Sequence, residues 1–375
     1  VGRSYWEDIG YLRSPDCLIV GAGLVGMFTA LNLKELNPSL DVMVVERGPF
    51  SQGASTKNAG FACFGSASEL LEDVRIYGKD KVVETVRMRY EGLKLSRQLF
   101  SDEAIEFDPC GGMDVFSSEN NGIFDDCADH LDEINDLVFQ ATGIKSVFEV
   151  SSGNPPGCHG FENYIVNKAE GSINTALLNQ KLYDLCVSKK VRFLFGVHVL
   201  KLNVEQKYAE CETIGKIYAQ KILLTINGFI PHLLPIKDVN AVRNQVIVTE
   251  KIQGLSLKGC YHMDRGYVYF RQVDQRILIG GGRNVLGVSE VTDQLDTTPE
   301  AIRFLKNIIT KHILLDRIPA IEFHWSGILG VGSDKKPIIQ EVHQDIFVGV
   351  RMGGMGVAIS SIVGKQLAEL TVGMA

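Results

Sequence analysis

Gly21, Gly23 and Gly26 stand between an apolar run, Cys17 to Val20, and a helix-forming segment that continues to about Leu36. A second apolar run, VMVVE, ends in Glu46, twenty residues after Gly26. The spacing is the GxGxxG pattern of dinucleotide binding, and each position has a physical task. Gly21 permits a tight turn, Gly23 removes a side chain where a pyrophosphate must approach, and Gly26 lets the helix pack close to the strand. With Ala22, Leu24 and Val25 they place unpaired N–H groups and the positive end of a helix dipole where a diphosphate can use them. The Glu46 carboxylate can accept ribose hydroxyl protons and repels a 2′-phosphate.

Small and hydroxylated residues follow the acid directly, in RGPFSQGASTKNAGFACFG. Ser55 and Thr56 can meet phosphate or ribitol oxygens, while Asn58, Ala59 and Gly60 can bring backbone close to a planar ring. By local chemistry alone the same residues also suit a solvent-facing loop. Farther on, Tyr267, Tyr269 and Arg271 alternate along YVYFR and so share one strand face; two phenols and a guanidinium there could line a pocket. His324 is a further candidate. No metal-binding pattern and no Ser-His-Asp order appears, so the expected metal complement is none.

Those residues need a scaffold. Strand, helix of roughly fifteen residues and parallel strand form a βαβ unit with a right-handed crossover. Helix is expected over Ser68–Phe100, near Asp125–Thr142, over Asn174–Val187 and after Thr297 or Thr298; VRFLFGVHVLKL is expected as one strand. NQVIVTEKI, YVYFRQVD and RILIGGG read as antiparallel strands, and a final helix follows GGMG. Nucleotide-type elements therefore return after the hairpins. The expected fold is α/β plus an antiparallel sheet, with 14–75, 168–236 and 327–375 as a nucleotide domain and 76–167 and 237–326 as a discontinuous substrate domain.

Composition sets outer limits. The chain has 375 residues, 45% hydrophobic and 22% charged, enough for a substantial core. A net charge of -7 disfavours nucleic acid as a partner. Eight cysteines without a CxxC pair suggest a reducing, cytoplasmic setting. The first residues contain no leader pattern, and the Cys17–Leu33 run breaks at Asn37–Pro38, too short for the roughly 20 residues of a membrane span.

VGAGLVG, GASTKNAG, the strand pair YVYFRQVDQRILIGGG and the terminal GGMGVAISSIVGKQLAEL together resemble the D-amino-acid oxidase superfamily of FAD enzymes, over almost the complete chain. The resemblance implies a Rossmann-like domain holding extended, noncovalent FAD. Gly21–Gly26, Glu46 and Arg47 would take the adenosine end, Val199 would pack near adenine, and Ser55–Gly60 would cradle the pyrophosphate and ring. Asn227 and Gly228 match the turn after a family strand, Gly327 lies in the late tryptophan motif, and Gly353, Gly354, Met355, Gly356 and Val357 would aim a helix N-terminus at the flavin C2 carbonyl and N1.

Two departures bear on the substrate. Leu329 and Gly330 stand where small-amino-acid members carry Arg-Pro, and Gly354 stands where glycine oxidase carries arginine. An acidic substrate would then need Arg243, Arg265, Arg271 or Arg351. The expected reaction is oxidation of a C–N bond in an amino acid or secondary amine by hydride transfer to flavin N5, with oxygen or an electron carrier as acceptor. The rivals are a 2-hydroxy-acid dehydrogenase and a non-catalytic FAD-binding assembly protein.

Overall fold

A computed structural model describes residues 3–315 and 317–374. Cys17–Val20 is an interior strand of a six-stranded sheet, paired in parallel with Val42–Glu46 on one side and Lys221–Leu224 on the other. Arg192–Phe195 and Ile346–Val350 extend the parallel array, and Ile338–His343 closes one edge antiparallel. The residues Cys17, Leu18, Ile19 and Val20 are all buried, as a strand covered on both faces requires.

Helices Leu24–Leu36 and Gly356–Thr371 cover one face together. They approach closely at Gly364, where a Cβ would sit 2.5 Å from the Phe28 Cβ. A second, eight-stranded sheet has the order Ile321–Val331, Asn240–Thr249, Arg276–Gly281, Val268–Val273, Cys260–Met263, Gly112–Phe116, Asn163–Asn167, Phe148–Ser152. It is antiparallel except where Cys260–Met263 runs parallel to Gly112–Phe116. The strand Ile321–Val331 continues through the expected junction at residue 327.

Three expected elements divide. The helix foreseen over Ser68–Phe100 is Ala67–Tyr77 and Lys79–Leu99, separated by Gly78 at φ 87°. Asn121–Asp129 and Leu131–Thr142 replace a single helix near 125–142. VRFLFGVHVLKL splits at Gly196: Arg192–Phe195 joins the parallel sheet, and Val199–Asn203 joins a small sheet with Tyr208–Cys211 and Gly215–Tyr218. Thr298 is the cap of Pro299–Ile308, its side chain accepting from the Ala301 N–H. Among the described residues no helix is long and apolar enough to cross a membrane.

Candidate active site

The strand Cys17–Val20 turns into the helix Leu24–Leu36 through Gly21 (φ 105°), whose N–H donates to the Val45 carbonyl at 2.8 Å. Gly26 packs back on this turn: an added Cβ would lie 2.1 Å from the Gly21 carbonyl oxygen and 2.7 Å from Thr225 Oγ1. Glu46 accepts from the Ala22 N–H and the Gly48 N–H, both at 3.0 Å. A carboxylate has about four acceptor sites, so capacity remains for hydroxyl donors. The Leu24 N–H donates to Ser55 Oγ at 2.9 Å, which brings the second small-residue segment onto the helix N-terminus.

From this corner a cavity of about 1240 Å³ runs along the carboxyl ends of the parallel strands to the eight-stranded sheet. Gly21, Gly23, Leu24, Val25, Glu46, Arg47, Ser55, Asn58, Ala59 and Val199 border it. So do Asn227, Gly327, Gly353, Gly354, Met355, Gly356 and Val357. Arg47 lies over the Phe229 ring, 4.1 Å from its centroid. The Gly356–Thr371 helix has no side-chain cap, and a Cβ on Gly353 or Gly354 would meet nothing within 4 Å, so the helix start is open to a ligand.

Five residues expected at the cofactor are instead its supports. Ala22 is buried, with its carbonyl accepting from Ser51 Oγ, and Thr56 Oγ1 is committed to the Ser51 carbonyl. Gly26 is behind the turn, Gly60 packs on the Ile173 carbonyl, and Gly228 packs on the Leu329 carbonyl. None of the five borders the cavity.

At the sheet end Tyr267, just before the strand Val268–Val273, and Tyr269 within it line the cavity. The Tyr269 hydroxyl accepts from Asn244 Nδ2 at 3.1 Å, and burial pushes the phenol up to about 12. Two expected catalytic positions move out. Arg271 donates to the Ala59 carbonyl (2.7 Å) and the Ile173 carbonyl (3.4 Å), so it is consumed in tying the sheet to the cofactor loop. His324 is exposed on Ile321–Val331 and hydrogen-bonds Thr297 Oγ1 at 2.8 Å, away from the cavity.

The other proposed carboxylate partners are also engaged. Arg243 pairs with Glu290 at 3.0 Å and with Asp296, Arg351 with Asp334 at 2.6 Å and with Asp238, and Arg265 with Glu72 at 3.0 Å. Only Arg265 among these three borders the cavity.

His262 stands alone in the sequence, an isolated candidate of the kind that more often plays a structural hydrogen-bonding part. It pairs in register with Tyr269 on the neighbouring strand and borders the cavity, and its Nε2 lies 2.9 Å from Glu170 Oε2. Both are buried, and a Cβ on Gly112 would lie 2.0 Å from that same oxygen, so glycine makes room for the carboxylate. Burial alone would depress the imidazole, but Glu170, Asp114 and Glu69 outweigh it and raise its pKa. Phe61 meets the His262 and Tyr269 rings edge-on at 5.3 and 5.5 Å. The Cys63 thiol lies with the imidazole and carboxylate within 4.8 Å of one another, donor types that suit a transition metal. The facing imidazole and carboxylate atoms already satisfy each other as a pair.

A second, partly buried network borders the cavity beside it. Lys335 Nζ lies 2.7 Å from both Glu69 Oε1 and Asp73 Oδ2, and Arg89 lies 3.1 Å from Glu69. Burial would raise the Glu69 carboxyl, but Lys335 and Arg89 overcome it and hold it at about 2. A depressed folded pKa contributes stability that is complete above the unfolded carboxyl value of about 4.3 and is lost as pH falls toward about 2. Lys335→Met is therefore expected to lose about 1–3 kcal/mol at neutral pH and to unfold at a higher pH during acid titration. Unfolding monitored by fluorescence between pH 2 and 7 checks this; an acid transition unchanged from wild type contradicts it.

A long crevice at the strand ends, with a glycine turn and acid at one end and an open helix start at the other, defines an FAD-binding oxidoreductase. The chain belongs to the FAD dependent oxidoreductase family, whose pattern matches residues 16–370. It is similar to gamma-glutamylputrescine oxidoreductase of Escherichia coli (strain K12), 22% identical over 380 residues, 96% of this chain and 84% of that protein. In structure it is similar to L-proline dehydrogenase from P. horikoshii, with TM-score 0.73, 16% identity and 96% and 93% of the two chains covered. It is also similar to FAD-bound L-alpha-glycerophosphate oxidase from Mycoplasma pneumoniae, with TM-score 0.72, 16% identity and coverage of 96% and 95%.

The residues present fit FAD. Glu46 retains acceptor capacity for ribose, the Ser55 hydroxyl, which accepts from the Leu24 N–H, keeps its own proton to donate at a helix start, and the Gly353–Gly356 turn leaves its side open for a ring.

Proposed function

We propose that this protein oxidises the C–N bond of an amino acid or secondary amine. The observation that carries this reading is one continuous cavity joining the glycine turn and Glu46 to a wall of Phe61, His262, Tyr267 and Tyr269. FAD held along Glu46, Ser55 and the Gly353–Gly356 turn would supply the electron sink, with N5 as the hydride acceptor for the substrate carbon.

The chain supplies orientation and charge. Tyr269, fixed by Asn244 and Phe61, stays protonated at neutral pH and can donate its O–H to a substrate heteroatom. The carboxylates of Glu69, Glu72 and Asp73 border the cavity but are paired with Arg89, Lys335 and Arg265, so that wall is polar and close to charge-balanced. Glu170 favours the protonated form of His262, and in that form the pair carries no net charge. Aromatic packing by Phe61 and Tyr269 keeps water from the reacting carbon and limits its orientations. The relatives named for gamma-glutamylputrescine and L-proline support C–N chemistry, and the one named for glycerophosphate supplies the rival, C–O oxidation.

The test is an anaerobic titration of FAD-loaded protein with amines, amino acids and 2-hydroxy acids, following the visible flavin band. Bleaching by an amine or amino acid is the expected result. Bleaching by 2-hydroxy acids alone transfers the assignment to C–O oxidation, and no bleaching by any class favours a non-catalytic FAD protein. Admitting air to the bleached sample then separates an oxidase from a dehydrogenase that needs an electron carrier.

A further inference from the structure

We infer that Arg283 anchors an anionic group of the substrate, so that the substrate is an amino acid or other amine bearing a carboxylate. The inference rests on the C–N reading above and adds the substrate class.

Arg283 was absent from the sequence-derived candidates because nothing in its spacing marks it. It follows three consecutive glycines, and these place it. A Cβ on Gly281 would lie 1.9 Å from the Tyr267 carbonyl oxygen, and the Gly282 N–H donates to that oxygen at 2.8 Å. Both glycines hold positive φ, 104° and 87°, which turns the chain sharply off the end of Arg276–Gly281 and back over Tyr267. The Arg283 guanidinium ends up 4.7 Å from the Tyr267 ring centroid, bordering the cavity.

Its lack of partners is what distinguishes it. Among the described residues Arg283 makes no side-chain hydrogen bond, and no carboxylate lies within 4.0 Å of it. Arg89 and Arg265, the other arginines bordering the sheet end, are paired with Glu69 and Glu72. Arg47 is likewise held by ring stacking alone, but at the glycine-turn end beside Glu46. A half-buried guanidinium with five free donors, resting on an aromatic face, is a rigid fork suited to a carboxylate. The positive charge also acts on Tyr269, so the anion would sit beside the two phenols rather than at the glycine turn.

The experiment uses FAD-loaded wild type, Arg283→Gln and Arg283→Lys, with benzoate and benzamide as probes of equal shape and different charge. Binding is read by calorimetry and by perturbation of the flavin band, neither of which needs turnover. Wild type is expected to bind benzoate about 10–100-fold more tightly than benzamide, the range of a charge-assisted pair. Arg283→Gln should lose that preference with benzamide affinity unchanged, and Arg283→Lys should retain part of it. Equal binding of both probes by wild type, or undiminished benzoate preference in Arg283→Gln, overturns the anchor. If amines bleach the flavin while the anchor fails, the C–N reading stands without Arg283. If the anchor holds while no amine bleaches it, the anion site stands and the C–N reading falls.

Discussion

Gly26→Ala protein is expected to purify with little flavin, its FAD affinity reduced at least 100-fold, or about 2.7 kcal/mol. The cause is steric. The new methyl would lie 2.1 Å from the Gly21 carbonyl oxygen and 2.7 Å from Thr225 Oγ1, both parts of the buried turn. Thr225 Oγ1 already bonds the Val20 and Gly21 carbonyls at 3.0 and 3.1 Å, so it has no free direction in which to retreat. The helix Leu24–Leu36 must shift away from its strand, and the Leu24 N–H and Ser55 Oγ shift with it. Overpacking of this kind costs about 1–3 kcal/mol in folding alone. Gly122→Ala is the control, since a Cβ there meets nothing within 4 Å. Flavin absorbance per mole of protein, with circular dichroism as a check on folding, measures the effect. Stoichiometric FAD in Gly26→Ala would mean that the turn tolerates a methyl and that the close-packing argument is wrong.

The second large effect falls on Glu170. Glu170→Ala leaves His262 buried without its counter-charge, and removing one partner of such a pair costs about 3–5 kcal/mol. The pH dependence identifies the cause. The His262 pKa is raised in the folded state, so the pair's stabilisation is complete below the unfolded imidazole value of about 6.5 and is lost as pH rises through the higher folded value. Urea unfolding of wild type should show that decline above pH ~6.5, and the variant should lack it. Equal slopes in the two proteins would remove His262 as its source. Gly112→Ala offers a milder approach to the same pair, because its methyl would press on the Glu170 oxygen from behind.

Much of the nucleotide half was legible because its signals are local. Glycine spacing, a fully apolar strand and an acid at its expected distance all lie within Cys17–Glu46, and the structure joins them by the Ala22–Glu46 hydrogen bond. Gly78 was less legible: one glycine in a charged helical pattern costs only about 1 kcal/mol and does not by itself declare a break. Phe148–Ser152 and Asn163–Asn167 flank an obvious loop, but their side chains are largely part-exposed and give a weak pattern.

The substrate wall was harder for a different reason. Parity put Tyr267, Tyr269 and Arg271 on one face, yet parity does not reveal that the Ala59 and Ile173 carbonyls pass over Arg271. His262 acquires its meaning from Glu170, 92 positions earlier, and Lys335 from Glu69, 266 positions earlier. Pairing CYHM with YVYFR as a hairpin would have set His262 beside Tyr269; nothing in the local sequence would have found the carboxylate behind it.

The strand membership of the two large sheets has a practical consequence for dissecting the protein. Along the chain, strands of the parallel sheet end at Glu46, resume at Arg192, end at Leu224 and resume at Ile338, with strands of the other sheet in every interval. No single backbone cut, and no truncation from either terminus, can therefore liberate an intact cofactor module. Fragments made that way should have to find each other again before either holds a ligand.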